Sequence, residues 1–149
     1  MTSIRRGSWV VLKYVTTLFF VGVIIQFFLV GYGLFRMQLG ETIDNAASLE
    51  AHRDFGWHLS LYGAGFLLIF ALLAWPPATL LVRWIVLAVL AFVQGILAAV
   101  GFNHWAVGMF HPVNAMVLLG LSGYLTRCAW KEGRSADRVV RNDPWTSAA

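Results

Sequence analysis

Residues 9–35 read WVVLKYVTTLFFVGVIIQFFLVGYGLF, an apolar run broken only by the charge of Lys13. A helix that crosses a bilayer needs about 20 mostly apolar residues, and this run exceeds that length. It lacks the alternation of apolar and polar residues that a barrel strand requires. Main-chain amides in hydrocarbon must find partners inside their own segment or in a closed barrel, so the run predicts a transmembrane α-helix.

Three further runs pass the same test: Phe55–Trp75, Ala78–Phe102 and Pro112–Trp130. Of the 149 residues, 59% are hydrophobic and 12% charged, which is more apolar surface than a soluble domain of this size can bury. The predicted fold class is therefore all-α, a polytopic membrane protein built as a compact four-transmembrane-helix bundle. Residues 1–131 form one transmembrane domain without an evident internal repeat, and residues 132–149, mixed in charge, form a loosely ordered tail. Arg5 and Arg6 precede the first run, which is too long and lacks the cleavage site of a secretory signal, so it is read as retained. Pro76 and Pro77 stop the second run and restart the third, making these two spans antiparallel neighbours. Pro112 suits the first helical position of span four, with His111 as its N-cap. Thr42–Ala51 suits a short interfacial helix.

Charge sets the expected orientation. Arg5, Arg6, Lys13, Arg83, Arg127, Lys131, Arg134, Arg138 and Arg141 fall on one side, whereas the other side holds Arg36 and Arg53 with Glu41, Asp44, Glu50 and Asp54. Positive residues stay inside, so both termini are expected in the cytoplasm and the acidic loop outside. The basic excess is thus a topology signal and does not point to nucleic acid.

On this placement all four histidines, His52, His58, His104 and His111, gather near the outer side. Gln26 and Gln94 lie about 6 Å, and His58 and Asn114 about 10 Å, outward of the middle of their spans. The inner half offers only Thr16, Thr17 and Ser122, which can bond to their own helix carbonyls. Polar residues at depth usually face the bundle interior, so the asymmetry predicts a polar pocket opening outward.

Two imidazoles on different helices can ligate a haem iron. His58 and His111 are the expected pair, with His52 and His104 as alternates. Gly56, Gly63 or Gly65 can make room for the ring, and Arg53 can meet a propionate. A bare copper or zinc ion among the imidazoles, with Glu50 or Asp54 as oxygen ligand, is a second option, although no compact motif supports it. The plainer alternative is that the histidines only hydrogen-bond at the interface. Gln26 and Gln94 either tie helices together or contact a quinone. Trp9, Trp57, Trp75, Trp84, Trp105 and Trp130 are expected as interfacial anchors. Gly63, Gly65, Gly95, Gly120 and Gly123 are expected where helices approach closely. Cys128 is expected as a packed small residue.

The segments Ile24–Phe35, His52-Arg53 with Gly56 and His58, Gln94–Ala98 and His111-Pro112-Val113-Asn114-Ala115 together resemble an uncharacterised family of small four-helix bacterial integral membrane proteins. The resemblance spans roughly residues 9–131 and implies the four-helix fold and a bacterial inner membrane, with no activity attached. Membrane cytochromes of the b561 type are a looser analogy. They hold haems near both faces, whereas one outer haem is the most this chain would accommodate.

The functional expectation is a multi-pass inner-membrane protein that binds one b-type haem and exchanges electrons with quinol or a partner complex. The alternative is a cofactor-free accessory or structural subunit of a larger membrane assembly, or of a homo-oligomer. No nucleophile, base and orienting acid share one depth, and no enzyme class is assigned.

Overall fold

The computed structural model describes residues 3–37 and 47–141, without the side chains of 47–48 and 132–141. Its elements are α1 (Ser3–Met37), α2 (Ala47–His58), a π-helical segment (Leu59–Gly63), α3 (Ala64–Ala74), α4 (Ala78–Gly101), the short α5 (Trp105–Gly108) and α6 (Phe110–Arg141). Four helical rods are long and apolar enough to cross a membrane: Ser3–Met37, Leu49–Ala74, Ala78–Gly101 and Trp105–Lys131. The chain is all-α and contacts a lipid bilayer. Large apolar side chains such as Leu18, Phe28, Phe66 and Phe92 point outward all round, as they would in hydrocarbon.

The rods extend past the apolar runs. Span two starts at Ala47, eight residues before Phe55, and α2, the π segment and α3 follow one another without a break. The part of the expected interfacial helix before Ala47 lies outside the described residues. At span four, Phe110 is the first helical residue, so His111 and Pro112 sit inside the first turn, beyond the cap and first position expected for them. Both changes matter for the histidines.

Span one packs against spans two and four, and span three packs against the same two. Spans two and four therefore face each other across one diagonal, and spans one and three across the other. The core is an inward stripe at helical spacing on each rod, as on α4 with Trp84, Leu87, Ala88, Ala91 and Gly95. Trp84 belongs to this stripe and is fully buried, so it is not an interfacial anchor. Its indole nitrogen donates to Thr16 Oγ1 at 3.1 Å. Thr16, Thr17 and Ser122 donate to Leu12, Lys13 and Leu118 carbonyls at 2.7, 2.8 and 2.6 Å, the self-satisfaction expected of hydroxyls in an apolar helix.

Close approaches occur at some of the expected glycines and at others. A Cβ on Gly63 would meet the Phe19 ring at 2.9 Å, one on Gly95 would meet Ser60 Cβ at 3.3 Å, and one on Gly123 would meet Phe20 at 3.0 Å. Gly65 and Gly120 face open space, so they hold no helix of this chain close. The tightest approach is Gly101 to Gly108, where an added Cβ would lie 2.7 Å from the Gly108 Cα. That contact folds α5 back onto the end of α4.

The opposite end is closed by the Trp75-Pro76-Pro77 turn. Trp75 adopts φ 46°, a left-handed conformation that costs a non-glycine residue about 1–2 kcal/mol. Its amide caps the Ala71 carbonyl at 3.2 Å, and Arg5 Nη2 donates to its carbonyl at 2.7 Å. The start of α1 is thereby fastened to the turn between spans two and three.

Candidate functional site

Each span carries a glutamine or a histidine that reaches inward at the end of the bundle away from that turn. Gln26 stands on α1, His52 on α2, Gln94 on α4 and His111 on α6. A glutamine amide and a histidine carbonyl are both obligatory hydrogen-bonding groups in this dry setting, and each finds its partner on the next rod.

The two helical hairpins solve the problem in the same way. Gln26 Nε2 donates to the His52 carbonyl at 3.2 Å, and His52 Nδ1 lies 3.3 Å from the Gln26 carbonyl. Gln94 Nε2 donates to the His111 carbonyl at 3.0 Å, and His111 Nδ1 lies 3.3 Å from the Gln94 carbonyl. A carbonyl oxygen can only accept, so both imidazoles carry their proton on Nδ1 and present a lone pair at Nε2. The repeat continues one turn further. The residue three after each histidine meets the residue four before each glutamine: Asn114 Nδ2 donates to the Leu90 carbonyl at 2.9 Å, and the Phe55 ring lies beside Gly22. The structure thus contains a repeated interlock that sequence similarity between the hairpins does not reveal.

The repeat is imperfect where Asn114 is matched by Phe55. Asn114 Nδ2 also donates to Gln94 Oε1 at 2.7 Å, whereas Gln26 Oε1 is buried and finds no hydrogen bond. Gln94 Nε2 also stands 3.2 Å from His111 Nε2. The amide donates to the lone pair there, as the Nδ1–H tautomer permits.

His52 and His111 sit on the diagonal rods and meet across the bundle, with ring centroids 6.4 Å apart and planes at 79°. They line a cleft of about 660 Å³, together with Gln26, Gln94, Arg53 and Asp54. Gly56, Gly95, Gly101 and Gly108 also line it, each at a close contact that leaves little room for a Cβ, while Phe19, Val23 and Leu118 form its apolar floor. Among the described residues Arg53 is its one lining Lys or Arg.

The expected pair His58 and His111 is not brought together. His58 is exposed on the outer face of α2, its Nδ1 2.7 Å from the Asp54 carbonyl and its ring 5.6 Å from Tyr62. Six residues separate His52 from His58, which turns them about 120° apart on a helix, so only one can face the axis. The small residues Gly56 and Ser60 share the His52 face, and the bulky Leu61 and Tyr62 share the outward one. That contrast was the available signal. His104 is exposed in the connection between α4 and α5 and does not line the cleft. Asn114 acts one step back, through Gln94. Among the described residues no three His, Cys, Asp or Glu side chains cluster as a metal site.

Gly101 and Gly108 were not legible as site residues, since glycine near a helix end is commonplace. Their contact sets where α6 begins, and so where His111 stands. Set against family models, curated proteins and solved structures, the chain matches none, and what is established is a protein of four membrane-spanning-type helices with a mostly apolar cleft at one end, into which a few polar side chains are set.

Proposed function

We propose that the chain is a small membrane electron carrier that holds one b-type haem between His52 and His111 and exchanges electrons with quinol or a partner complex. The observation that carries this reading is the pair of imidazoles facing each other across the bundle with both Nδ1 atoms tied to main-chain carbonyls. With metal–imidazole bonds of about 2 Å, two rings on opposite sides of one ion stand about 6 Å apart, and the centroid separation here is 6.4 Å. Histidines that ligate metals commonly donate their other ring nitrogen to a carbonyl or carboxylate, which fixes tautomer and ring orientation. A haem held by His52 and His111 would supply one-electron transfer.

The chain's own residues suit that role. Gln26 and Gln94 hold the two ligand-bearing helices through their side-chain amides, and their main-chain carbonyls orient the two rings through Nδ1. Gln94 would release His111 Nε2 and keep its bond to the His111 carbonyl. Arg53 at the rim matches an anionic propionate edge, and the mostly apolar lining suits a macrocycle. Gln26 Oε1 is buried without a partner, and a turn of its side chain toward the cleft would let it accept from a donor on a bound molecule, a quinol hydroxyl included. Leaving such an acceptor unpaired costs about 1–3 kcal/mol, which a ligand would recover.

Protein purified from haem-replete cells is expected to contain one haem per chain by pyridine haemochrome assay. A colourless, well-folded product supports the second reading, a cofactor-free subunit of a larger assembly. What favours that reading is that Gln94 already satisfies His111 Nε2, so the interlock can also serve as a purely structural clasp.

For a bacterial inner membrane, which the family resemblance implies, the charge asymmetry supports an orientation with both termini in the cytoplasm and the cleft on the outer side. A reporter fused after Lys131 is expected to behave as cytoplasmic. A single cysteine at Asn103, in a Cys128→Ser background, is expected to react with a membrane-impermeant maleimide in intact spheroplasts. Labelling only after lysis would invert the orientation.

A further inference from the structure

We propose that the end of the bundle opposite the cleft carries a binding site for the headgroup of an anionic phospholipid, centred on α6. This inference is independent of the haem reading. Two hydrogen bonds fix the relative heights of the helices there. Trp84 Nε1 donates to Thr16 Oγ1 at 3.1 Å, and Thr126 Oγ1 donates to the Thr16 carbonyl at 3.3 Å. Lys13, Arg83 and Arg127 stand next to these three residues in sequence or within a turn of them, so one cation from each of α1, α4 and α6 lies at a common depth.

Each flank is built with an aromatic partner. Lys13 Nζ lies 4.3 Å from the Trp130 ring centroid and 5.1 Å from that of Tyr14. Trp130 is held by its own bond from Nε1 to Thr17 Oγ1 at 3.0 Å. The Arg83 guanidinium lies 5.3 Å from the Tyr124 ring centroid and donates to the Tyr124 hydroxyl. Arg127 is exposed on α6 between the two flanks. Rings order these cations without neutralising them. The described acidic side chains, Glu50 and Asp54, belong to the opposite end, so among the described residues no carboxylate offsets this charge.

The depth suits a lipid phosphate. From Tyr14 to Phe35 an α-helix rises about 32 Å, close to the roughly 30 Å of a hydrocarbon core. The three cations therefore stand at the boundary between acyl chains and headgroups, where Tyr and Trp also concentrate. Basic clusters at that level recognise anionic lipids, and a zwitterionic headgroup brings a competing ammonium.

Native mass spectrometry of the full-length protein tests this, comparing retention of phosphatidylglycerol and phosphatidylcholine from mixed micelles. Phosphatidylglycerol is expected to be retained preferentially. Lys13→Gln and Arg127→Gln are expected to weaken retention roughly fivefold each, whereas Arg36→Gln, an equal charge loss at the cleft end, leaves it unchanged. Arg127 is exposed, so its variant tests the site even if Lys13→Gln fails to fold. Equal retention of the two lipids, or equal loss in Arg36→Gln, overturns the proposal. Complete displacement by millimolar inorganic phosphate would reassign the site to a soluble anion and overturn it too.

Discussion

Replacing His52 by alanine is expected to remove nearly all haem from the purified protein, as is His111→Ala, while His58→Ala retains it. The basis is geometric: His52 and His111 face each other across the cleft at 6.4 Å, and His58 points out of the bundle. The fold should survive, because His52→Ala gives up one imidazole hydrogen bond and His111→Ala two, each worth about 1 kcal/mol. Gln94→Leu keeps the main-chain carbonyl that orients the His111 ring through Nδ1 and removes the amide that covers His111 Nε2, so it is expected to retain haem binding, at the cost of the bonds that the amide makes to the His111 carbonyl and to Asn114. The checks are the absorbance ratio of the Soret band to 280 nm and a titration of the stripped protein with hemin. Loss in His58→Ala with retention in His52→Ala would return the site to the outer face of α2.

Gly101→Ala is expected to be the most damaging of the single-methyl additions. Its Cβ would lie 2.7 Å from the Gly108 Cα, and main chain cannot step aside as a side-chain tip can. Overpacking of this kind costs about 1–3 kcal/mol. Because Gly108 lies three residues before His111, the strain should also lower haem occupancy. Gly120 provides the contrast: nothing lies within 4 Å of its added Cβ, and relief of glycine's backbone entropy should make Gly120→Ala neutral or stabilising by about 0.5–1 kcal/mol. Unfolding of both variants in a denaturing detergent titration, followed by tryptophan fluorescence, measures the difference. Equal stability would mean that α5 does not hold the end of α4.

The four spans were legible because the length of an apolar run is set by bilayer thickness, and all four runs exceed it. Helix ends were less legible. The segment from Ala47 to Asp54 is polar, so hydropathy stops at Phe55, yet its main chain continues as helix and brings His52 onto the bundle. That eight-residue extension, together with the π turn at Leu59–Gly63, decided which histidine faces inward. Gln26, Gln94 and His111 were readable from depth alone, since an amide or imidazole at that level must seek a partner inside the bundle. Trp84 was misread for the converse reason. Nearness to a span end suggests an anchor, but its register with Leu87, Ala91 and Gly95 turns it into the core. The repeated glutamine–histidine interlock was written in the order of residues, glutamine on the first helix of each hairpin and histidine on the second, but only contacts distinguish such an order from coincidence.

The most direct test of ligation by two histidines is low-temperature electron paramagnetic resonance of the oxidised wild-type protein, recorded with its visible spectrum. The expected result is a single low-spin, six-coordinate haem that carbon monoxide does not ligate after reduction, and whose low-spin signal vanishes in His52→Ala and in His111→Ala. A high-spin signal in the wild type, ready binding of carbon monoxide, or folded protein with no iron at all would contradict it.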